Sequence, residues 1–302
     1  MSANAHQPSA TGAHGTGRPS VVVGLDGSAD GLLALDWAAD LAAQRGWIVR
    51  ALHIVDDERT AQPPTTSPGR DDGSEVLDDA ADELTRLGSD DAVFEIGYGN
   101  PAQELLKASR DAAALVIGRR GAGGFAELMM GSTSQVCAAL ARTTLIVIPD
   151  TWRPTEPTQH QIVVGVDGSQ AGQAALGFAF ELADERRAEL TLVHVPDVPE
   201  SFPRPDLWLD PDHAPWHHTA EALVAGAVSG WPDKYPDVVF HLHYEPGHPV
   251  QVLAKESQHA DLIVVGGLGR TEFTELRLGS VSRGLLHHAR CPVAIVHNGG
   301  RT

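Results

Sequence analysis

The sequence predicts an α/β protein of two tandem, doubly wound domains, each a five-stranded parallel sheet with helices on both faces. Three observations point there. Residues 20–28, SVVVGLDGS, return at 161–169 as QIVVGVDGS, so that Asp26 and Asp167 lie 141 positions apart. Near the end of each half, ALVIGRRGAGGFAELMMGSTS (114–134) is answered by LIVVGGLGRTEFTELRLGSVS (262–282), and the separation from Gly118 to Gly266 is 148. Within each copy, short apolar runs alternate with stretches of helical period, the pattern of βαβ units. The growth in separation places an insertion in the second copy, where the Pro- and Trp-rich loop 196–218 carries Trp208 and Trp216.

Taken in order, VVVGLD (21–26) reads as a short buried strand. Residues 30–45 place Leu32, Leu33, Leu35, Trp37, Ala38, Leu41 and Ala42 at helical spacing. A strand follows at 47–55, then a Pro/Asp/Gly/Ser-rich loop at 56–74. A helix at about 75–87 presents Asp78, Asp79, Asp82 and Glu83 as one solvated face. The next strand is 92–98, and Asn100-Pro101 opens a helix with proline in its tolerated first turn. Residues 114–118, 132–141 and 144–148 make a strand, a helix and a last strand. The second half predicts strands near 162–167, 189–195, 238–244, 261–265 and 293–297. This gives a disordered tail (1–19), a first domain (20–148), a linker with three prolines (149–160) and a second domain (161–298).

Composition narrows the function. Of 302 residues, 40 are acidic and 22 basic, a net charge of −18, which argues against nucleic acid and against an anionic membrane surface. No apolar run reaches the roughly 18 residues of a membrane span, and the N-terminus lacks a signal peptide's apolar core. Cys137 and Cys291 form no disulfide framework, so a reduced, cytoplasmic setting is expected. The pairs His217-His218 and His287-His288 point apart on regular structure, and neither H-E-x-x-H nor C-x-x-C occurs, so no metal site is expected. His53 and His194 stand among apolar strand residues and read as half-buried structural histidines.

Ligands of a doubly wound sheet bind beyond the carboxyl ends of its strands. Strand one ends in Gly24-Leu25-Asp26-Gly27-Ser28, and its twin in Gly165-Val166-Asp167-Gly168-Ser169. Beyond strand four, Gly118-Arg119-Arg120-Gly121, nine residues and Gly131-Ser132 fit G-x2-G-x9-G-[ST], and Gly266, Gly269, Gly279 and Ser280 repeat the spacing. Glycines let backbone amides approach an anion, and Ser132, Thr133 and Ser280 stand where they either cap the next helix or donate to a phosphate. An aspartate at a strand end equally caps its own turn. Arg119, Arg120 and Arg270 are the basic groups nearest the expected phosphates.

A strand ending D-G-S, a strand ending H-[IV] and then G-x2-G-x9-G-[ST]-x-S before a final helix and strand resemble the universal stress protein family, its tandem two-domain members in particular. The resemblance covers about 20–150 and 161–302, with Ser134, Val281 and Ser282 completing the motif. It implies a strand order 3-2-1-4-5 and one ATP per half, with the glycine motif holding ribose and phosphates. It also implies that Asp26 with Ile54, and Asp167 with Val195, line the adenosine pocket. Gly267-Leu268 in the second copy replaces the basic pair Arg119-Arg120.

No P-loop, kinase signature or nucleophile elbow occurs, so fast hydrolysis has no evident machinery and no catalytic residue is assigned. The leading expectation is an ATP-binding, stress-related sensor with slow or absent turnover. Two alternatives stay open: a slow Mg²⁺-dependent ATPase or nucleotidyl transferase using Asp26 or Asp167, and a binder of cyclic AMP or another adenosine ligand. The implied strand order leaves the apolar strands Thr144–Ile148 and Pro292–Val296 at sheet edges. Uncovered edges invite pairing, so the two halves are expected to pair antiparallel through them, with a homodimer of the whole chain on top.

Overall fold

A computed structural model of the chain describes residues 18–56, 73–89, 91–122, 130–153, 160–196, 215–269 and 278–297. In the first half β1 (Ser20–Leu25), β2 (Ile48–Val55), β3 (Ala92–Tyr98), β4 (Ala114–Gly118) and β5 (Thr144–Ile148) form a parallel sheet. The helices are α1 (Ala29–Arg45), α2 (Ser74–Arg86), α3 (Pro101–Ala108) and α4 (Ser132–Leu140). The second half adds β6 (Gln161–Gly165), α5 (Gln170–Arg186), β7 (Glu189–His194), α6 (Pro215–Val228), α7 (Trp231–Lys234) and β8 (Phe240–Tyr244). It ends with α8 (Pro249–Glu256), β9 (Leu262–Gly266), α9 (Ser280–His288) and β10 (Val293–Val296).

The strand order is β3-β2-β1-β4-β5-β10-β9-β6-β7-β8. Each half therefore has the order 3-2-1-4-5 that the family resemblance implies, and β5 and β10 lie side by side and antiparallel, with Ile146 opposite Ala294 and Leu145 opposite Ile295. Strand one is shorter than predicted at its far end. It stops at Leu25, and in the second half at Gly165, which leaves Asp26 and Asp167 outside the ladder at the start of a turn.

Local chemistry sets the helix ends. Ser28 and Ser169 cap α1 and α5 by accepting from Gly31 and Gly172, and Asn100 caps α3 by accepting from Gln103 ahead of Pro101. The predicted loop 196–218 ends early, because α6 begins at Pro215; residues 197–214, including Trp208, lie outside the described residues. Helix α7, absent from the sequence reading, stacks Trp231 on Phe180 at 5.8 Å between ring centroids. Of the acidic face on α2, Asp78, Asp79 and Asp82 are exposed, while Glu83 is half-buried against α1.

Each face of the sheet carries its own core. One holds α1, α2, α5 and α6, with Leu35, Leu41, Leu84, Leu176, Phe180 and Val224 buried. The other holds α3, α4, α8 and α9, with Leu105, Cys137, Leu253 and Leu285 buried. Burying apolar surface on both sides is what a parallel sheet requires, and it explains why the strands read as unbroken apolar runs. Between α1 and α5, Arg45 reaches Glu185 at 2.8 Å and Arg186 reaches Asp40 at 2.7 Å. Both guanidinium groups also lie over tryptophan rings, Arg45 over Trp47 and Arg186 over Trp37.

Candidate functional site

The site is built where β1 and β4 end side by side. Asp26 follows β1, and its Oδ1 accepts from the Ser28 amide at 3.1 Å and the Ser28 hydroxyl at 2.5 Å. The second half repeats this: Asp167 Oδ1 accepts from the Ser169 amide at 2.9 Å and its hydroxyl at 2.7 Å. The turn-capping role is therefore real in both copies. It uses only one carboxylate oxygen. Asp26 Oδ2 accepts from the Ala122 amide at 2.8 Å, just past Gly121, so strand one and the glycine loop do face each other. A Cβ on Gly121 would run into that carboxylate, and one on Gly269 would stand 3.2 Å from Asp167 Oδ2. Glycine at these two positions lets the loop backbone lie against the aspartate.

The strand-two histidines hold this corner in place. His53 Nδ1 donates to the Leu25 carbonyl at 2.9 Å, and His194 Nδ1 to the Val166 carbonyl at 2.6 Å. Each histidine thus ties down the residue immediately before an aspartate of the site, the structural role that their setting among apolar residues suggested.

The neck of the glycine loop is pinned by the Gly131 amide donating to the Arg119 carbonyl at 2.9 Å, and by Gly279 donating to Gly267 at 2.7 Å. Gly131 and Gly279 are themselves the N-caps of α4 and α9, and neither helix receives a side-chain cap. The sequence reading of Ser132, Thr133 and Ser280 as caps is corrected accordingly: these residues lie in the first turn, with Ser132 and Ser280 exposed at the mouth. Ser134 and Ser282 do the structural work instead, donating to the Gly118 and Gly266 carbonyls at 2.8 and 2.7 Å. The first-turn amides of a helix have no acceptor within it, and with glycine at the cap they are accessible to an anion.

Other predicted residues go elsewhere. Arg119 and Arg120 both pair with Asp150 at the start of the linker, and Arg119 Nη1 also reaches the Ala289 carbonyl at 3.3 Å. Burial alone would raise the Asp150 carboxyl, and the two guanidinium groups outweigh it and hold the carboxyl below its ordinary value. In this structure both guanidinium groups are thus engaged by the Asp150 carboxylate. Gly118 and Gly266 lie against the first turns of α1 and α5. Gly24 and Gly165 pack on Leu105 and Leu253. Ile54 is buried in the core beside α3, while Val195 and Val281 are half-buried against the matching layer. Arg270 lies outside the described residues.

One residue of this corner was missed. Asp30, in the first turn of α1, accepts from the Arg120 amide at 3.2 Å and so fixes the glycine loop from the helix side. Burial pushes its carboxyl above the ordinary value, against the amide that donates to it. The second half has Ala171 there, so the two sites differ in charge where their loops meet the helix.

The residues suit a nucleotide in kind. Open amides at the starts of α4 and α9 match phosphate oxygens. Asp26 and Asp167 are carboxylates with lone pairs beyond those in use, matching ribose hydroxyls. Among the described residues no helix is long and apolar enough to cross a membrane.

Comparison with known proteins adds three findings. The family described as "Universal stress protein family" matches the chain twice, over residues 18–149 and 159–297. A universal stress protein of Mycobacterium tuberculosis is 31% identical over 287 residues, spanning 91% of this chain and 96% of the relative, and a second from that organism is 30% identical over 298 residues, spanning 91% and 94%. Among solved structures, a universal stress protein from Archaeoglobus fulgidus superposes with a TM-score of 0.65 at 18% identity, covering 92% of this chain and 96% of that one, a likeness of fold.

Proposed function

The chain belongs to the universal stress protein family, and from that premise we propose that each half holds one adenine nucleotide, ATP, and serves to sense or sequester it with slow or no turnover. The observation that carries this reading is the meeting of Asp26 with the Ala122 amide beside the uncapped start of α4. The corresponding approach of Gly269 to Asp167 beside the start of α9 extends it to the second half. In this reading the phosphates lie on the first-turn amides of α4 and α9, where backbone donors and the helix dipole favour negative charge. The ribose hydroxyls donate to Asp26 and Asp167, and Mg²⁺ accompanies the phosphates on an otherwise acidic protein. The domains are taken as 20–148 and 161–298, working in the cytoplasm. The β5–β10 seam keeps them one body in solution, and a homodimer forms from whole chains.

Titration calorimetry with ATP tests the proposal, together with mass spectrometry of nucleotide carried through purification. Two sites per chain are expected, and Asp26→Ala is expected to weaken one of them by roughly tenfold, the loss of one or two hydrogen bonds to a charged group. A stoichiometry of zero with ATP overturns the proposal. Preference for cyclic AMP over ATP in competition would replace ATP with that ligand, and single-turnover assays with labelled ATP decide between holding and hydrolysis.

A further inference from the structure

The second half carries a cluster of ligating side chains remote from both glycine loops. Phe240 and Tyr244 of β8 face the core layer of α5 and α6. Because side chains alternate along a strand, His241 and His243 face the opposite side, towards α8. There His243 Nε2 lies 3.1 Å from Glu245 Oε2, and Glu256, the last residue of α8, completes a group whose three ligand atoms all fall within 4.8 Å of one another. All three residues are half-buried. Lys255 Nζ touches the two Glu245 oxygens at 3.1 and 3.3 Å from an exposed position.

Comparison of the two halves shows what this cluster replaces. Val49 pairs with Ala92 and Leu190 with Phe240, so His243 corresponds to Glu95 and Glu245 to Gly97. Helices α3 and α8 both run eight residues from a proline, so Glu256 corresponds to Ala108. In the first half Arg50 fills the spot, with Nε 2.8 Å from Glu95 and Nη1 donating to the Ala108 carbonyl at 3.1 Å. The counterpart of Arg50 is the buried Thr191. The second half thus lacks the half-buried guanidinium of the first, and it offers an imidazole and two carboxylates in the same place, with the exposed Lys255 amine touching Glu245 from the surface.

We propose that His243, Glu245 and Glu256 bind a divalent transition-metal ion of the zinc class. Zinc takes nitrogen and carboxylate oxygen at about 2.0–2.2 Å, which sets neighbouring ligand atoms about 3.3 Å apart, close to the His243–Glu245 spacing. Magnesium and calcium prefer oxygen-only shells, so the imidazole selects against them. Three protein ligands at a half-buried strand edge leave a fourth position for water. The sequence reading missed the group because it sought adjacent histidines and helical H-E-x-x-H spacing, whereas these ligands come from a strand end and a separate helix. The twelve histidines at or beyond residue 160, against fifteen in the chain, mark the half in which the group lies.

The test is calorimetry of the full chain with zinc chloride, on wild type, His243→Ala and Glu256→Gln, with circular dichroism to verify folding. Wild type is expected to bind one equivalent in its tightest class. Each substitution is expected to weaken that class by at least about tenfold, the loss that even a ligand's supporting partner produces. Cobalt(II) added to wild type should give the visible bands of a tetrahedral site, and these should be lost in His243→Ala. Absence of zinc binding, or binding that both folded variants retain at wild-type strength, overturns the proposal.

Discussion

Gly118 and Gly266 open the motif that reads as a phosphate loop, yet their own surroundings are a helix. A Cβ at 118 would stand 2.7 Å from the Asp30 Cβ and 2.9 Å from its carbonyl carbon, and at 266 it would stand 2.7 Å from the backbone of Ala171. Backbone atoms of a capped helix cannot give way as a flexible side chain does, so glycine here permits the close approach of β4 to α1 and of β9 to α5. Gly118→Ala and Gly266→Ala are therefore expected to lower stability by about 1–3 kcal/mol, the range for overpacking, measured by urea unfolding without nucleotide. A variant that keeps its unfolding midpoint while losing ATP would return these glycines to a ligand role. Gly121 and Gly269 are different, because their neighbour is the aspartate of the site.

The pairing of α1 with α2 carries a titration. Asp36 on α1 is nearly buried and faces Glu83 on α2, which also pairs with Arg86. Burial, then the hydrogen bond with Glu83 and its charge, push the Asp36 carboxyl from 3.8 up to about 7. The Arg86 hydrogen bond holds Glu83 down at about 2. Since Asp36 binds its proton more tightly folded than unfolded, its contribution to stability is full below about pH 4 and is lost as pH rises through 7. Glu83 has the opposite sign: its contribution is present above about pH 4.5 and is lost as pH falls towards 2. The pair is most stabilising between about pH 4 and 5. Asp36→Asn keeps a donor for Glu83 without the ionisation, so its melting temperature should change little between pH 5 and 8. At pH 8 it should exceed the wild type by about 2 °C or more. A variant that declines with pH as steeply as wild type would assign the titration to another group.

At the scale of the molecule, β5 and β10 bring two buried strands together, and Ile146 and Ile295 sit on opposite faces of the sheet in the two cores. The crossed ion pairs Arg45–Glu185 and Arg186–Asp40 add a second line of contact between α1 and α5. If this seam holds the halves together, residues 1–153 and 160–302 produced as separate chains should co-elute as one species. Ile146→Lys, which places an unpaired charge in a dry core, should prevent it. Elution of the two wild-type pieces apart would refute the seam as the holding contact.

The sequence by itself determined the repeat, the βαβ alternation and the positions of Asp26, Asp167 and the glycine spacing, because these are written in local period and in exact recurrence along the chain. The rest was decided only in three dimensions. Ser28 and Ser132 are both serines near helix starts, yet one caps and the other does not, because a glycine occupies the cap of α4. Arg119 and Arg120 turn to Asp150, 31 and 30 residues on, rather than to the glycine loop they belong to. Glu256 meets His243 and Glu245 although nothing in the spacing pairs that helix end with the strand, whereas in the first half the same place is closed by Arg50 from a neighbouring strand. Secondary structure follows from which residues are apolar and at what interval. The partner of a charged side chain follows from which strand lies beside which, and that is set by the packing of the whole sheet.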